Sequence, residues 1–284
     1  MLALWCPIEE PAEKEELVGR LRKWPIAYRH VLGLIDPESC DNVRPPDEWR
    51  LHRIGRLPFL VCGQPEEESG YVMVWDEPND EGASRIAGFL DEHVTSQLVV
   101  LGEPAFKALR PKLPDGVWRR SRNYELIPGG FKPRPSDLVR RLTHEDRAHV
   151  EKAIRIHEAA AHRSTMRDFD AMAEGRPARC WGAFVDGDLA GFVSTNPICA
   201  GVTEMSWIFT AEPFRRRGIA AGLLSAACDE ALSRGHLVGY HAGSAGDDLD
   251  HMVRQIGFTE TLATYRFIPS SSPCQWLAGW GRPI

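Results

Sequence analysis

The 284-residue sequence has no long apolar run and few features of an exported or membrane protein. No stretch reaches the roughly 18 apolar residues that a helix needs to cross a bilayer, so we expect no membrane-spanning segment. The first residues, Met1 to Cys6, lack a basic segment and soon meet Pro7 and acidic side chains. We therefore expect no signal peptide.

The sequence also lacks any Cys-x-x-Cys pair. Its 7 cysteines are Cys6, Cys40, Cys62, Cys180, Cys199, Cys228 and Cys274. An odd number of scattered cysteines favours reduced thiols in a cytoplasmic protein over a disulfide framework or a zinc site. Cys228 lies on the apolar face of a predicted helix, which favours a place in the core.

A metal site is not expected either, although four histidines are predicted on the first helix of the second half of the chain. These are His144, His149, His157 and His162. No cluster of further ligands accompanies them, so solvated or packing roles fit them better than metal binding. We predict no metal cofactor.

Excess positive charge is absent as well, since the net charge is -6. Nucleic-acid binding needs a basic surface that neutralises phosphates, so this balance argues against a general nucleic-acid binder. The 43% hydrophobic and 26% charged residues are typical of a globular protein, and the length suggests about two domains. The sequence is compatible with a homodimer.

One short stretch, residues 210–220, combines a basic loop with the start of a predicted helix. It contains Arg215, Arg216, Arg217 and Gly218, and it follows the apolar run 205–209, which is typical of a buried strand. Apolar residues at three- and four-residue spacings then predict the helix; they are Ala220, Leu223, Leu224, Ala227, Cys228 and Ala231. Free N–H groups and the dipole of a helix start bind phosphate, and a glycine lets an anion approach the backbone. The stretch therefore predicts a phosphate-binding site.

This loop resembles a family signature. Arg215-x-x-Gly218-x-Ala220 fits the Arg/Gln-x-x-Gly-x-Gly/Ala pyrophosphate loop of the GNAT superfamily of acyl-CoA-dependent N-acetyltransferases, and it stands between a strand and a helix as that family requires. The resemblance implies acetyl-CoA as cosubstrate. The cofactor-binding residues that it implies are Ile208, Phe209, Thr210, Arg215, Arg216, Arg217, Gly218, Ile219 and Ala220.

The predicted order of elements in residues 136–268 is also similar to the GNAT domain. The opening "VRRLTHED" at 139–146, whose Thr143 and Asp146 have the spacing of a capping box, resembles its first strand and helix entry. A hairpin around Asp186-Gly187 follows, and "RQIGF" at 254–258 precedes the last strand. We therefore expect an α/β GNAT fold with a mixed, mostly antiparallel central sheet flanked by helices.

Acetyl transfer to an amine requires removal of the amine's proton and stabilisation of a developing oxyanion. The resemblance implies Glu204, at the far end of the strand before the loop, as general base; the alternative is a strand glutamate that faces solvent. It also implies a backbone N–H of Phe209 or Thr210 as the oxyanion donor.

Two residues that are usual in the family are missing. Val253 stands where a tyrosine often acts as general acid, and Gly246 stands where an asparagine often contacts the cofactor. Tyr240, Ser244 and Tyr265 could replace the acid, although each also fits a structural role. The departing thiolate could equally take its proton from water.

The first half of the chain is predicted as two strands, helix, strand, helix and strand, the order that recurs in the second half. We expect an α/β domain at 1–130, a linker at 131–135 within the Pro- and Gly-rich segment 128–135, and an acetyltransferase domain with a C-terminal tail at 136–284. The first half is either a diverged copy of the same fold or an unrelated α/β domain. Its counterpart of the phosphate loop, residues 76–84, is acidic and would repel a pyrophosphate, so we expect this half to be non-catalytic.

These features favour an N-acetyltransferase that moves an acetyl group from acetyl-CoA to the amine of a small molecule or peptide. The alternative is a protein of another functional class, an acyl-CoA-binding sensor or scaffold without turnover. It is favoured by Val253 and Gly246, which stand in place of the usual tyrosine and asparagine. A third hypothesis is a structural pair of α/β domains whose loop binds some other phosphate. The acidic net charge modestly favours a cationic acceptor.

Overall fold

The computed structural model contains both helices and strands in each half of the chain. The structure describes residues 6–35, 49–54, 56–62, 71–92, 97–157, 162–176, 178–199, 201–242, 247–270 and 282–283. The α-helices are α1 (Pro11–Leu21), α2 (Arg29–Ile35), α3 (Asp80–Glu92), α4 (Glu103–Leu109), α5 (Arg147–His157), α6 (His162–Ala173), α7 (Ile219–Ser233) and α8 (Asp247–Ile256). The strands are β1 (Cys6–Pro7), β2 (Trp49–Ile54), β3 (Leu57–Cys62), β4 (Tyr71–Val74), β5 (Gln97–Leu101), β6 (Gly116–Leu126), β7 (Val139–Arg141), β8 (Arg179–Val185), β9 (Asp188–Cys199), β10 (Val202–Thr210), β11 (Leu237–Ala242), β12 (Thr259–Glu260), β13 (Thr264–Pro269) and β14 (Arg282–Pro283).

These strands join in one sheet, whose order is β1-β2-β3-β4-β5-β13-β6-β11-β10-β9-β8-β7, with β12 and β14 paired to β6 beside this path. Among the described strands, β4 with β5 and β10 with β11 are parallel, and the other pairs are antiparallel. Helix α7 packs on β8, β9 and β10, while α2, α5 and α6 also pack on β9. The predicted fold class, a mixed and mostly antiparallel sheet flanked by helices, is confirmed.

Two strands connect the halves of the chain. Strand β6, from the first half, pairs with β11 of the second half, and β13, near the C-terminal end, pairs with both β5 and β6. Each half of the sheet is therefore completed by a strand of the other half. The linker at 131–135 stays a prediction, and a cut there would separate strands that are hydrogen-bonded to each other.

Local sequence signals in the second half are confirmed. The hairpin between β8 and β9 turns at Asp186 and Gly187, whose φ angles of 52° and 85° match the left-handed turn that an Asp-Gly step favours. Thr143 and Asp146 form the predicted capping box at the entry to α5. Arg140 adds a bidentate pair with Asp146 at 2.9 and 2.6 Å, so one carboxylate fixes both the cap and β7.

The core on one face of the second half's sheet lies under α7, as its apolar pattern predicted. Leu223, Leu224, Ala227 and Cys228 are fully buried there, and burial raises the pKa of the Cys228 thiol. Close packing explains Gly222, because a Cβ there would come within 2.7 Å of Ser136 Cβ. Among the described residues, Cys180, Cys199 and Cys228 are buried and form no disulfide.

Several sequence predictions were wrong in detail. Helix α2 and strand β2 were missed, and α3 starts at Asp80, inside the segment 76–84 that was predicted as a loop. The four histidines do not share one helix, because His144 lies in the short 3-10 turn His144–Asp146 and His162 begins α6. Within the described ranges no group of three or more His, Cys, Asp or Glu could hold a metal ion.

No helix among the described residues is long and apolar enough to span a bilayer.

Candidate functional site

The candidate site starts where the two parallel strands of the second half separate. Strands β10 and β11 pair from Val202↔Leu237 to Met205↔Tyr240, and both continue beyond that last pair. An irregularity between Met205 and Trp207 marks the same point on the β9 side of β10. A bulge re-aims the rest of a strand, and the pairing between β10 and β11 ends here. We refer to the region between the unpaired ends of β10 and β11 as the cleft.

The backbone of β10 directs polar groups toward this cleft. In an antiparallel pair, residues that bond to the partner strand alternate with residues whose N–H and C=O point away. The amide of Ala211 donates to Ala190 on the β9 side at 2.9 Å, so Phe209 also faces β9. Ile208 and Thr210 therefore direct their amides toward the cleft. Arg215 Nε reaches the Thr210 carbonyl from that side at 3.2 Å.

This alternation corrects part of the sequence interpretation. Phe209 was one of two residues predicted to supply an oxyanion-binding N–H, but the register turns its amide into the β9–β10 ladder. Its ring stacks on Phe192 with centroids 6.1 Å apart. Ile208, which was predicted only as a cofactor contact, has its amide on the open side instead.

After β10, the chain enters α7 through a loop in which two residues have a left-handed backbone conformation. Arg216 has φ 65° and Gly218, the N-cap residue, has φ 76°. A left-handed arginine is costly, and such strain clusters at functional sites. No side chain of the described residues caps α7, so the amides of its first turn remain available to an anion.

The basic side chains of this loop lie at the surface. Arg215, Arg216, Arg217 and Gly218 are exposed, and Arg217 lies over the ring of Phe214 at 5.7 Å. Ile219 is buried against the core, and Ala220 is half-buried. The structure thus brings the predicted residues 208–210 and 215–220 together at one end of β10.

The corresponding helix start in the first half is already occupied. Strand β4, a loop, α3 and the parallel strand β5 repeat the order of β10, loop, α7 and β11. There Asn79 Oδ1 accepts the amide of Gly82 at 2.8 Å, and Asp80 and Glu81 lie in the first turn of α3. Asp76 pairs with Arg20 at 2.9 Å. At this helix start one amide is therefore already bonded to a side chain, and the two carboxylates of the first turn would repel an anion.

Glu204 lies at the root of the cleft, but it does not face solvent. It is 7% exposed, and its Oε1 accepts hydrogen bonds from Nε and Nη2 of Arg29 at 3.2 and 2.9 Å. Arg29 belongs to α2 in the first half and is itself fully buried. The solvent-facing alternative for Glu204 is therefore wrong, and any role of this carboxylate includes Arg29.

The residues considered as the general acid lie in different parts of the structure. Tyr240 is 5% exposed on β11, and burial together with Tyr124 and Glu204 raises its pKa, so it stays protonated at neutral pH. The hydroxyl of Tyr265 donates to Glu103 in the first half, and its ring stacks on Phe106 at 4.1 Å, which is a structural role. Ser244 and Gly246 lie outside the described residues.

Sequence reasoning missed Arg29 and Asn123. Arg29 Nη2 also donates to Asn123 Oδ1 at 3.0 Å, and Asn123 Nδ2 donates to the Leu262 carbonyl at 2.7 Å. The one signal in the sequence is Gly239 inside a strand pattern, because such a glycine often marks a close approach by another group.

Comparison with known proteins gives a family match for part of the chain. Residues 147–258 match the family model described as the acetyltransferase (GNAT) family. No curated protein matches the chain.

Solved structures extend the likeness beyond the matched residues. A GCN5-related N-acetyltransferase from Kribbella flavida has 17% identity and a TM-score of 0.61, with 90% of this chain and 97% of that chain covered. A Drosophila protein has 15% identity and a TM-score of 0.63, with 95% and 99% covered. A tandem GNAT protein from the clavulanic acid biosynthesis pathway has 15% identity and a TM-score of 0.55, with 95% and 98% covered. At these identities the likeness shows the fold.

Proposed function

Since residues 147–258 form a domain of the GNAT acetyltransferase family, we propose that this protein is an N-acetyltransferase that moves an acetyl group from acetyl-CoA to an amine of a small molecule or peptide. The observation that carries the proposal is the uncapped start of α7 beside the cleft between β10 and β11. The loop supplies positive charge and free amides for a pyrophosphate, and the cleft supplies room for an extended pantetheine chain.

In this proposal the cosubstrate is held along one continuous surface. Arg215, Arg216 and Arg217 attract the pyrophosphate, while Gly218, Ile219 and Ala220 present backbone amides to it. The pantetheine then follows the open edge of β10 at Ile208, Phe209 and Thr210. A thioester carbonyl at that edge would meet the amide of Ile208 or Thr210, which can stabilise the oxyanion.

The acceptor amine then attacks the thioester carbonyl, and the C–S bond breaks as the tetrahedral intermediate collapses. An alkylammonium with a pKa near ~10.4 must lose a proton before it can attack. Glu204 is the proposed acceptor of that proton, directly or through water. The CoA thiolate takes a proton from Tyr240 or from water, since Val253 provides none.

The first half is proposed to shape the acceptor side of the cleft rather than to bind CoA. We propose an α/β domain at 1–130, a linker at 131–135 and the acetyltransferase domain at 136–284, with the first domain a diverged copy of the second. The capped, acidic start of α3 and the repeated order of strand, loop, helix and parallel strand support this.

Calorimetry with CoA and acetyl-CoA tests the proposal. Gly218→Glu places a carboxylate at the phosphate site and should weaken binding about 100-fold or more, through charge repulsion and blocked amides. Gly235→Glu is the matched control, because Gly235 has almost the same φ (75° against 76°) and nothing lies within 4 Å of either added Cβ. It should keep CoA affinity. Absence of saturable binding at millimolar CoA to the unaltered chain would exclude the function.

The second candidate is an acyl-CoA-binding sensor or scaffold without turnover. It is favoured by Val253 in place of the usual tyrosine and by the ion pair that engages Glu204. Release of free thiol from acetyl-CoA, measured against a library of amines, separates the two. Turnover with any amine excludes the sensor, whereas binding without turnover across the library favours it.

A further inference from the structure

The side chain of Arg29 crosses from the first half of the chain into the second half's sheet. It leaves α2 and is fully buried, and its Nη1 is anchored to the carbonyl of Ile26 on its own segment at 2.8 Å. Its other nitrogens bond to Glu204 on β10 and to Asn123 on β6. The guanidinium therefore bridges two strands that are not neighbours.

The strand between those two is β11, and its Gly239 makes the crossing possible. In the sheet order β6-β11-β10, Gly239 pairs directly with Glu204. A Cβ at Gly239 would come within 2.9 Å of Arg29 Nε and 3.0 Å of Arg29 Cδ. Because Gly239 has no side chain, space is left for Arg29 to cross β11 and reach Glu204.

The Arg29–Glu204 pair lies next to the point where the cleft begins. Glu204↔Gly239 is the pair before Met205↔Tyr240, which is the last pair between β10 and β11. The carboxylate is thus held on the strand that carries the proposed oxyanion donors, four residues before Ile208. A base at that position stands near the end of the cleft where the acyl group would arrive.

We propose that Arg29 is a positioning residue for acetyl transfer, which holds the carboxylate of Glu204 in one orientation and in its ionised form at the root of the cleft. This inference rests on the proposed function, and it assigns to the first half a direct part in the reaction site. The fork of the guanidinium fixes Oε1 through two hydrogen bonds, and a lysine could not reproduce that geometry.

The charges around Glu204 determine how the pair responds to pH. In the described part of the chain, Arg29 faces Glu204 from α2, and Tyr240 of β11 interacts with it electrostatically, although its side chain points to the opposite face of the sheet. His241 lies two residues beyond Gly239 on the same strand. An opposite charge in contact favours the ionised form of a carboxyl group. Loss of the Arg29 fork should therefore make the ionised carboxylate less favourable and move the acid limb of the rate profile to higher pH.

The test measures kcat/KM against pH for the full chain with acetyl-CoA and an amine that it acetylates. Arg29→Lys should lower kcat/KM about 10-fold and move the acid limb upward by about one pH unit. The KM for acetyl-CoA should stay within about two-fold, since Arg29 lies away from the α7 loop. Glu204→Gln should remove the acid limb and cost about 100-fold. Adding Arg29→Lys to Glu204→Gln should change little more, because the two residues act together.

Arg20→Lys is the matched control. Arg20 also belongs to the first half and also pairs with a carboxylate, that of Asp76, but its side chain is half exposed. Its replacement should change kcat/KM less than about two-fold, as exposed pairs contribute little. If Arg29→Lys does not fold, Gly239→Ala tests the same point, since the added methyl displaces the guanidinium and leaves both charges in place.

The outcomes separate this inference from the proposed function. If the unaltered chain binds CoA and acetylates an amine while neither Arg29→Lys nor Gly239→Ala moves the acid limb of the rate profile, Arg29 has a purely structural role. This inference is then overturned while the proposed function stands. Equal effects of Arg29→Lys with and without Glu204→Gln overturn it as well. A chain that neither binds CoA nor acetylates any amine overturns both.

Discussion

Gly239 lies directly beneath the guanidinium of Arg29, although the two residues belong to opposite halves of the chain. A methyl group at this glycine would meet Arg29 Nε at 2.9 Å, closer than side chains tolerate. Arg29 cannot swing aside freely, because Glu204, Asn123 and the Ile26 carbonyl hold it. The backbone of β11 and the arginine are thus fitted to each other.

The first prediction concerns this contact. Gly239→Ala should lower the free energy of unfolding by about 1–3 kcal/mol, the usual cost of overpacking a filled site. Thermal or urea unfolding followed by circular dichroism measures it. Gly19→Ala is the control, because Gly19 lies within α1 with nothing near its added Cβ. That replacement should stabilise by about 0.5–1 kcal/mol. Equal stability of Gly239→Ala and the unaltered chain would contradict the fitted contact.

The second prediction concerns the exchanged strands. A fragment of residues 136–284 lacks β5 and β6, so β11 would lose one of its two partner strands and β13 would lose both of its partners. We expect this fragment to aggregate or remain unfolded, because exposed strand edges are templates for aberrant pairing. The full chain should unfold in one transition that coincides for tryptophan fluorescence and far-ultraviolet circular dichroism. A soluble, cooperatively folded fragment would show that the exchange is dispensable.

The third prediction concerns acid stability at the entry to α5. The guanidinium of Arg140 and the amide of Thr143 lower the pKa of Asp146 to about 2, below the ordinary 3.8 of an aspartate. Because the folded-state pKa is depressed, this stabilisation is complete above pH 4 and is lost as the pH falls toward 2. We expect it to be on the order of 1–2 kcal/mol, since Arg140 is half exposed.

Urea unfolding of Asp146→Asn between pH 6 and pH 3 measures this contribution. The variant should be less stable than the unaltered chain at pH 6, and the difference should shrink as the pH falls. Asp170→Asn is a control on an exposed pair with Arg147, and it should change stability little at any pH. A difference independent of pH would mean that the cap, rather than the charge, is responsible.

The fourth prediction concerns stoichiometry. Calorimetry should give one equivalent of CoA per chain, because Asn79 and the acidic first turn occupy the start of α3. Asn79→Ala should lower the free energy of unfolding by about 1 kcal/mol through loss of the cap, and it should leave CoA affinity unchanged. Binding of two equivalents would refute the proposed division of labour between the halves.

Much of the second half could be predicted from the sequence because its signals are local. The Asp186-Gly187 turn, the Thr143–Asp146 cap and the buried stripe of α7 depend on residues a few positions apart. Their backbone preferences act whatever the rest of the chain does. The loop at 215–218 is also a local signal, since the affinity of a basic, Gly-containing helix start for anions depends on neighbouring residues.

The tertiary structure decided what depends on distant residues. Arg29 and Glu204 are 175 positions apart, and neither side chain carries a sign of the other in its own neighbourhood. The exchange of β6 and β13 is equally hidden, because the local sequence of a strand does not specify which strands it pairs with and only the assembled sheet selects its partners. The direction of each amide along β10 follows from the register, which a bulge shifts by one residue. Thus the sequence alone determined the basic, glycine-containing start of α7, while packing between the halves decided which groups surround Glu204 and which amides face the cleft.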